Sequence, residues 1–417
     1  MVPSRELLTE ENRQYIARAR EVAEKYVLPH ATRWDQTGEY PWEAIEALRE
    51  YDLMGVWIPK EYGGHGGGVL NLCLVVEELS RVCGAVGVAY AVNALGSFPI
   101  IISGTEEQKR RYLPAIARGE KLVAFCLSEY GAGSDAGSLK TRAVRDGDSY
   151  VITGDKKWTT NAEAASIYTV YATTDPEKGT RGISAFIVEK GMDGFFIGKK
   201  EDKMGIRAVP VHETHFRECR VPRSQLLGGQ EGIGFYNAMM TLDRARPGVA
   251  AQAVGLAQGA YEMAVEWVSK REQFGQPLIT QQAIQFMLAD MAALIEAARQ
   301  LVYTSARAVD AGLKTATMLA AMGKFFASDV AMRVTTDAVQ LFGGYGYVRE
   351  YVIEKYMRDA KITQIYEGTN QIQRLVVARN IIRLMGHQDG LLTAFLNRTA
   401  ARRPEHLRSG EWQPLDI

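Results

Sequence analysis

Residues 363–374 read TQIYEGTNQIQR. Glu367 stands against a glycine that has no place in a helix interior, and Thr369 and Asn370, both good N-caps, follow before an apolar-periodic run. The pattern sets a carboxylate in the entrance turn of a helix with Tyr366 behind it. Five further stretches carry residues able to do chemistry. In AFCLSEYGAGSDAGSLKTRA, 124–143, Gly131, Gly133 and Ala136 fit the loose form of a dinucleotide-binding loop. No βαβ unit surrounds them, so a Rossmann reading fails; a plain β-turn, or a glycine-rich turn offering N–H groups and Ser134 to a phosphate or flavin edge, both stay open. KKWTTNA, 156–162, sets an indole beside two hydroxyls, either as core or as a flank for a flat heterocycle.

In LDRARPG, 242–248, Asp243 and Arg246 are three apart, the spacing of a helical surface pair, at the head of a long helix. REQFGQPLITQQAIQ, 271–285, has Arg271 before a Gly-x-Pro break, either as a helix C-terminal cation or as a pyrophosphate contact. QLFGGYGYV, 340–348, is a helix-ending turn or a place of close backbone approach to a ligand. YGGHGGG, 62–68, reads as a flexible connector with no role for His65.

The elements that must position these residues come in three blocks. Helical patterns cover 8–26, 41–51, 70–82 and 105–118, the last opened by a Thr105/Gln108 capping box. From 121 the period shifts: SYVITGDKKW, IYTVYATTD and GISAFIVEK are β-branched and aromatic, with a turn at Asp146-Gly147. Long helices follow from 230, with stripes Val249, Ala253, Leu256, Ala260, Met263, Trp267; Ile284, Leu288, Met291, Ile295, Ala298, Val302; and Leu319, Met322, Phe326, Val330. The helix after Glu367 is expected as the fourth of a bundle. A tail from about Gly386 is weakly patterned.

Of the 417 residues, 47% are hydrophobic and 24% charged, with 49 basic against 49 acidic side chains, which argues against nucleic acid as a partner. No apolar run approaches the roughly 20 residues of a membrane span, and the N-terminus resembles neither a signal nor a transit peptide. Cys73, Cys83, Cys126 and Cys219 are scattered, reading as free thiols in a reducing cytoplasm. With no metal-ligand spacing among cysteines or the six histidines, no protein metal site is expected, and redox chemistry would need an organic cofactor.

Taken jointly and in this order, the stretches resemble the flavin-dependent acyl-CoA dehydrogenase family over about residues 8–385. The resemblance implies a mostly helical α+β fold: an N-terminal helical domain (1–120), a central β-barrel-like domain (121–228), a C-terminal four-helix bundle (229–385) and a tail (386–417). It implies FAD, with Phe125, Leu127, Ser128, Gly133, Ser134, Trp158, Thr159 and Thr160 at the flavin ring and its arm. Arg271, Gln273, Phe274, Gln281, Gln282, Gln340, Leu341, Gly343 and Gly344 would hold the adenosine pyrophosphate end, partly from a neighbouring subunit of a homotetramer. Thr369, Asn370 and Gln371 would touch the same cofactor at a helix N-terminus. Glu367 falls at the family's base, removing the α-proton of an acyl-CoA thioester while a β-hydride passes to flavin N5, with electrons going on to an electron-transfer flavoprotein. Ser134, Asp243, Arg246, Tyr366 and Gly368 would line the substrate. A minority branch places its base where this chain has Ala245, so Glu367 is the motif-supported candidate.

Two departures matter. The family's common TEPGAGSD reads SEYGAGSD here, placing Tyr130 where a rigid proline is usual. The expected pocket wall, 83–96, carries no charge, and Gly87 stands where the glutaryl-CoA branch has an arginine, which implies an uncharged short-, medium- or branched-chain acyl group. The same fold used as an oxygen-consuming oxidase or monooxygenase is the alternative; such monooxygenases tend to lose the glutamate present here.

Overall fold

The computed structural model describes residues 3–385; the expected tail, 386–417, lies outside the described residues. The chain opens with helices α1 (Glu10–Val22), α2 (Ala31–Thr37), α3 (Trp42–Glu50), α4 (Gly68–Val82), α5 (Gly84–Ser103) and α6 (Glu106–Ala117). The capping box at α6 forms as expected: Gln108 N–H donates to Thr105 Oγ at 3.2 Å, and Thr105 N–H to Gln108 Oε1 at 3.0 Å. Helix α5 corrects the reading of apolar runs, because its 20 residues are long and apolar enough to cross a bilayer. With 78% of that stretch buried inside the fold, it is the core helix instead. Its polar residues are used locally: Asn93 accepts from the Val123 N–H, and Ser97 from the Trp57 indole.

The 62–68 loop is pinned rather than free. His65 is within 3.1 Å of both the Tyr15 hydroxyl and Asp52, and Asp310 accepts from the Val69 and Leu70 N–H groups at the start of α4. Glycines confer the backbone turn there, while side-chain bonds remove its freedom.

Strands β1 (Val123–Cys126), β2 (Arg142–Asp146), β3 (Ser149–Thr160), β4 (Ile167–Thr173), β5 (Ile183–Glu189), β6 (Phe195–Lys200) and β7 (Val211–Pro222) make one curled sheet. Its order is β1-β4-β2-β3-β7-β6, with β5 also paired to β4. The register between β3 and β7 slips between Lys156 and Thr159, a bulge that turns out the residues between them. Trp158 is left with φ +65° and 57% exposed, a costly arrangement for an indole unless something covers it.

The last block holds α7 (Gly234–Lys270), a two-stranded hairpin of β8 (Glu272–Gln273) and β9 (Gln276–Pro277), then α8 (Gln282–Asp310), α9 (Ala316–Phe342), α10 (Ile353–Ile362) and α11 (Asn370–Met385). Two expectations change. LDRARPG is not the head of its helix, since α7 begins eight residues earlier and runs through Pro247. On α9 the fully buried positions include Ala320, Ala321, Lys324, Ala327, Ser328, Ala331 and Val334; of the expected stripe Val330 is buried, while Leu319, Met322 and Phe326 are only half-buried. Small residues win that face because α9 lies close against α7, where bulk would not fit.

Close approach also sets the α4–α7 crossing, at Gly255 and Gly259. A side chain on Gly259 would fall against the Arg81 carbonyl and within 2.7 Å of the Tyr356 ring. Beside this crossing, Glu77 of α4 accepts from Arg299 (2.9 Å) and Tyr303 (2.8 Å) of α8 and from Arg5 (2.9 Å). A buried carboxylate needs such partners, so the first helices and the bundle share one interior. Helix propensity alone predicts that Gly259→Ala stabilises α7 by about 1 kcal/mol. The packing predicts the reverse, a loss of about 2 kcal/mol in urea denaturation.

Candidate active site

Glu367 sits on the turn between α10 and α11 with φ +52°, followed by Gly368 at φ +93°. Left-handed backbone is rare for a glutamate and ordinary for glycine. Two such residues in succession turn both carbonyls toward the bundle, where three side chains take them up. Arg246 Nε of α7 donates to the Glu367 carbonyl at 3.4 Å, and Gln373 Nε2 of α11 to the Glu367 and Gly368 carbonyls at 3.2 and 3.1 Å. Lys324 Nζ of α9 donates to the Gly368 carbonyl at 2.8 Å. The turn is thus fixed by its backbone, and the carboxylate is free of that duty.

Glu367 is half-buried as a residue, and its Oε2 is buried and makes no hydrogen bond. Burial pushes its pKa up to about 7, against the opposing pull of the Arg246 and Lys324 cations. Among the described residues, its backbone N–H likewise donates to no protein acceptor. A carboxylate poised near neutrality and an unused N–H on the same residue form the equipment of a proton-abstracting site.

The neighbours are set by the same elements. Tyr366 donates to the Gln252 side chain, and Gln252 Nε2 reaches the Gly84 carbonyl at 3.3 Å, so the base turn is tied to the start of α5. That helix carries the expected uncharged wall. Gly87 faces Ser80 of α4 with no room for a side chain, let alone an arginine. Asp243 and Arg246 are engaged with protein partners, Arg246 being buried and Asp243 half-buried. They bond each other at 2.5 Å, Thr317 donates to Asp243 at 2.6 Å, and Arg246 is buried beneath the Glu367 turn.

The expected flavin-side residues do come together. Lys157 N–H donates to the Ser128 carbonyl at 2.9 Å, and Lys156 Nζ to the Leu127 carbonyl at 3.1 Å, joining the 125–134 stretch to 158–160. Buried Glu129 staples that loop further, pairing with Lys156 (2.7 Å) and accepting from the Lys140 and Thr141 N–H groups. Phe125, Ser128 and Thr160 are half-buried, Leu127 is buried, and Gly133 and Ser134 are exposed. Thr159 corrects the expectation for its side chain: fully buried, its hydroxyl contacts Thr214 at 3.2 Å and Cys126 at 3.7 Å within the β domain. Tyr130 stands 65% exposed, with Lys157 Nζ 4.9 Å from its ring centre and 4.8 Å from that of Trp158.

Thr369 is the N-cap of α11, its hydroxyl accepting from the Ile372 N–H at 3.3 Å. Asn370 is buried and committed to α9, held by Ser328 (2.8 Å), Asp329 (2.8 Å) and Lys324 (3.0 Å), so its amide has nothing left for a cofactor; Gln371 is exposed.

The pyrophosphate-side residues gather elsewhere. Arg271, Gln273, Gln340, Leu341, Gly343 and Gly344 line one cleft of about 780 Å³, whose wall includes Trp267. Gln281 and exposed Gln282 open α8 between two further lining residues, Leu278 and Ile284. Phe274 and Gly275, at φ +54° and +76°, tip the two-residue hairpin and leave Phe274 95% exposed. Along α7, Arg246 and Arg271 are 25 residues apart, about 38 Å at the helical rise.

Comparison with known proteins settles what scaffold this is. The N-terminal, middle and C-terminal acyl-CoA dehydrogenase domains match residues 9–120, 124–219 and 232–382. The chain belongs to the acyl-CoA dehydrogenase family. A short-chain-specific acyl-CoA dehydrogenase of Clostridium acetobutylicum is 48% identical over 90% of this chain and 99% of the relative. Butyryl-CoA dehydrogenase of Megasphaera elsdenii superposes with a TM-score of 0.88 at 46% identity, covering 90% and 99% of the two chains. So does, at 50% identity and the same score and coverage, a chain of the structure described as the electron transferring flavoprotein of Acidaminococcus fermentans.

Acyl-CoA dehydrogenases are FAD-dependent oxidoreductases, and the residues present suit that cofactor. An indole and a phenylalanine stand bare at the two half-sites, and Cβ atoms built on Gly343 and Gly344 meet nothing within 4 Å, leaving room for close approach. Sequence reasoning missed Lys324, Gln252 and Gln373. Lys324 had a signal, the lone charge within MLAAMGKFFAS, and Gln252 likewise interrupts VAAQAVGLA.

Removing the Asp243 charge should strand Arg246 as a buried cation. Asp243→Asn is expected to lose about 3 kcal/mol in urea denaturation, and much less when Arg246→Met is already present; equal losses in both backgrounds would mean the pair is not coupled.

Proposed function

We propose that this chain dehydrogenates an acyl-CoA thioester to the trans-2-enoyl-CoA, with Glu367 removing the α-proton. One observation carries the reading: a buried, donor-free carboxylate oxygen with its pKa near 7, on a turn held by everything except that carboxylate. An α-proton beside a thioester is a weak acid, so the developing enolate oxygen must be met by preorganised donors. The unused Glu367 N–H is one such donor. Desolvation of the carboxylate lifts it from its ordinary range toward the pH at which a base works. FAD, when bound, supplies the two-electron acceptor for the β-hydrogen.

Phe125, Leu127, Ser128, Gly133, Ser134, Trp158 and Thr160 would hold the flavin end, with Thr369 and Gln371 at the α11 N-terminus. Arg271, Gln273, Phe274, Gln281, Gln282, Gln340, Leu341, Gly343 and Gly344 would hold an adenosine pyrophosphate end. Arg271 lies roughly 38 Å along α7 from Arg246 beneath the base turn, which supports these residues serving the site of another copy, as the expected homotetramer requires. Arg246 and Asp243 support the base turn, while Ser134, Tyr366 and Gly368 stay on the substrate side. We divide the chain functionally at 120, 228 and 385. The uncharged wall at 83–96 and closed Gly87 position support an acyl group without a distal carboxylate. Likeness to the Acidaminococcus chain supports an electron-transfer flavoprotein as acceptor.

Anaerobic mixing with an acyl-CoA panel, followed by flavin bleaching, tests the base. Glu367→Gln should keep FAD yet bleach at least 10²–10⁴-fold more slowly; near-parent bleaching means the wrong residue has been chosen. Because the base must be ionised, the parent rate should rise about tenfold per pH unit below 7 and level off above it. Once reduced, the enzyme should reoxidise slowly in air and quickly with an electron-transfer flavoprotein. Rapid reoxidation by dioxygen would favour the oxidase reading.

A further inference from the structure

Lys324 is the residue near the base that neither motif nor family assignment accounts for. It is fully buried on α9, and its ammonium donates to the Gly368 carbonyl at 2.8 Å and to Asn370 Oδ1 at 3.0 Å. Both acceptors belong to the segment that carries Glu367. The charged groups surrounding that segment can be enumerated: Asp243 and Arg246 from α7, Lys324 and Asp329 from α9, and Arg374 from α11, beside the Tyr366 phenol. Arg246 is matched with Asp243 at 2.5 Å, and Arg374 with Asp329 at 2.6 Å. Lys324 is the cation left without a carboxylate partner, and Arg246, though matched with Asp243, also acts on Glu367. Among the described residues Lys324 has no carboxylate within 4 Å, while Glu367 Oε2 has no donor.

We infer that Lys324 is a positioning residue for the base: it anchors the turn through the Gly368 carbonyl, and its charge keeps Glu367 ionised in an otherwise desolvating site. This rests on Glu367 being the base. The two groups need not touch, because a cation beyond contact distance in a low dielectric still favours the carboxylate form. The electrostatics run the same way from both sides. Burial lowers the lysine to about 7 and raises the glutamate to about 7; Glu367 draws the lysine back up, while Arg246 and then Lys324 draw the glutamate back down. A lysine so depressed is already partly neutral at pH 7 yet still a donor, so a neutral donor of similar length should be tolerated there, whereas methionine also removes the bond to the Gly368 carbonyl.

The test uses FAD-loaded Lys324→Met, Lys324→Gln, Lys324→Arg and Glu367→Gln. Two readouts are followed across pH 5–9: the rate of flavin bleaching, and the carboxyl C=O infrared band that is lost in Glu367→Gln. With Met and Gln, the midpoint of that band should move up by about one unit. The acid limb of the rate profile should move with it, about tenfold slower below pH 6. Lys324→Arg should keep the parent midpoint. Lys324→Gln retains a donor for Gly368 without the charge, so a parent-like profile in that variant overturns the inference. A Gln variant that cannot fold and retain FAD also counts against it, since a neutral donor there is expected to be accepted. If instead Glu367→Gln bleaches like the parent, the base assignment is what has failed.

Discussion

The site depends on a division of labour within one short turn. Glu367 and Gly368 adopt left-handed backbone in succession, and their carbonyls are taken up by Arg246, Gln373 and Lys324 from three different helices. Strained backbone persists only where its surroundings over-determine it, and three donors on two carbonyls do so. The carboxylate is thereby relieved of any structural bond. A base that was also a strut would have to break a contact in order to react; this one does not.

Placing that turn requires the helices to come close, and small residues make it possible. Gly255 and Gly259 let α7 lie against α4, and alanines line α9 where it meets α7. The buried ionic cluster around Glu77 then fastens the first helices to the bundle. Charge buried in this way adds little to stability compared with apolar packing, but it defines which helices meet and in what register. The β domain contributes differently. Its bulge at Lys157–Trp158 exposes an aromatic surface in place of burying one, and Tyr130 with Lys157 extends that surface outward.

How much of this could be read in advance varies with the physics involved. The helix–strand–helix order was legible because periodicity changes from 3.6 to 2 and back, and the Thr105 box and Asp146-Gly147 turn are local chemistry. The turn that carries Glu367 was legible through Gly368 and the caps that follow, while its role as base came from the family resemblance. Helix α5 was underread because its glycines, Asn93 and Ser97 dilute an apolar run that is nevertheless a core helix. The α9 stripe was met at Val330 but misplaced at Leu319, Met322 and Phe326 by favouring large residues, whereas much of the buried face there is alanine. Lys324 and Gln252 escaped because their partners lie 44 and 114 residues away, a separation no local pattern encodes. The support role of Asp243 and Arg246 had the same cause: spacing of three suggested a surface pair, and only tertiary packing puts it underneath the base.

The length of α7 has a consequence of its own. One rigid rod connects the neighbourhood of the base to a hairpin whose bare phenylalanine points outward. If each copy lends that hairpin to another, no protomer owns a whole active centre, and injury to the tip in one molecule is suffered in the next. Mixed assemblies of sound and damaged chains would then lose more function than their proportions suggest, and selection on the hairpin would act through the company a chain keeps.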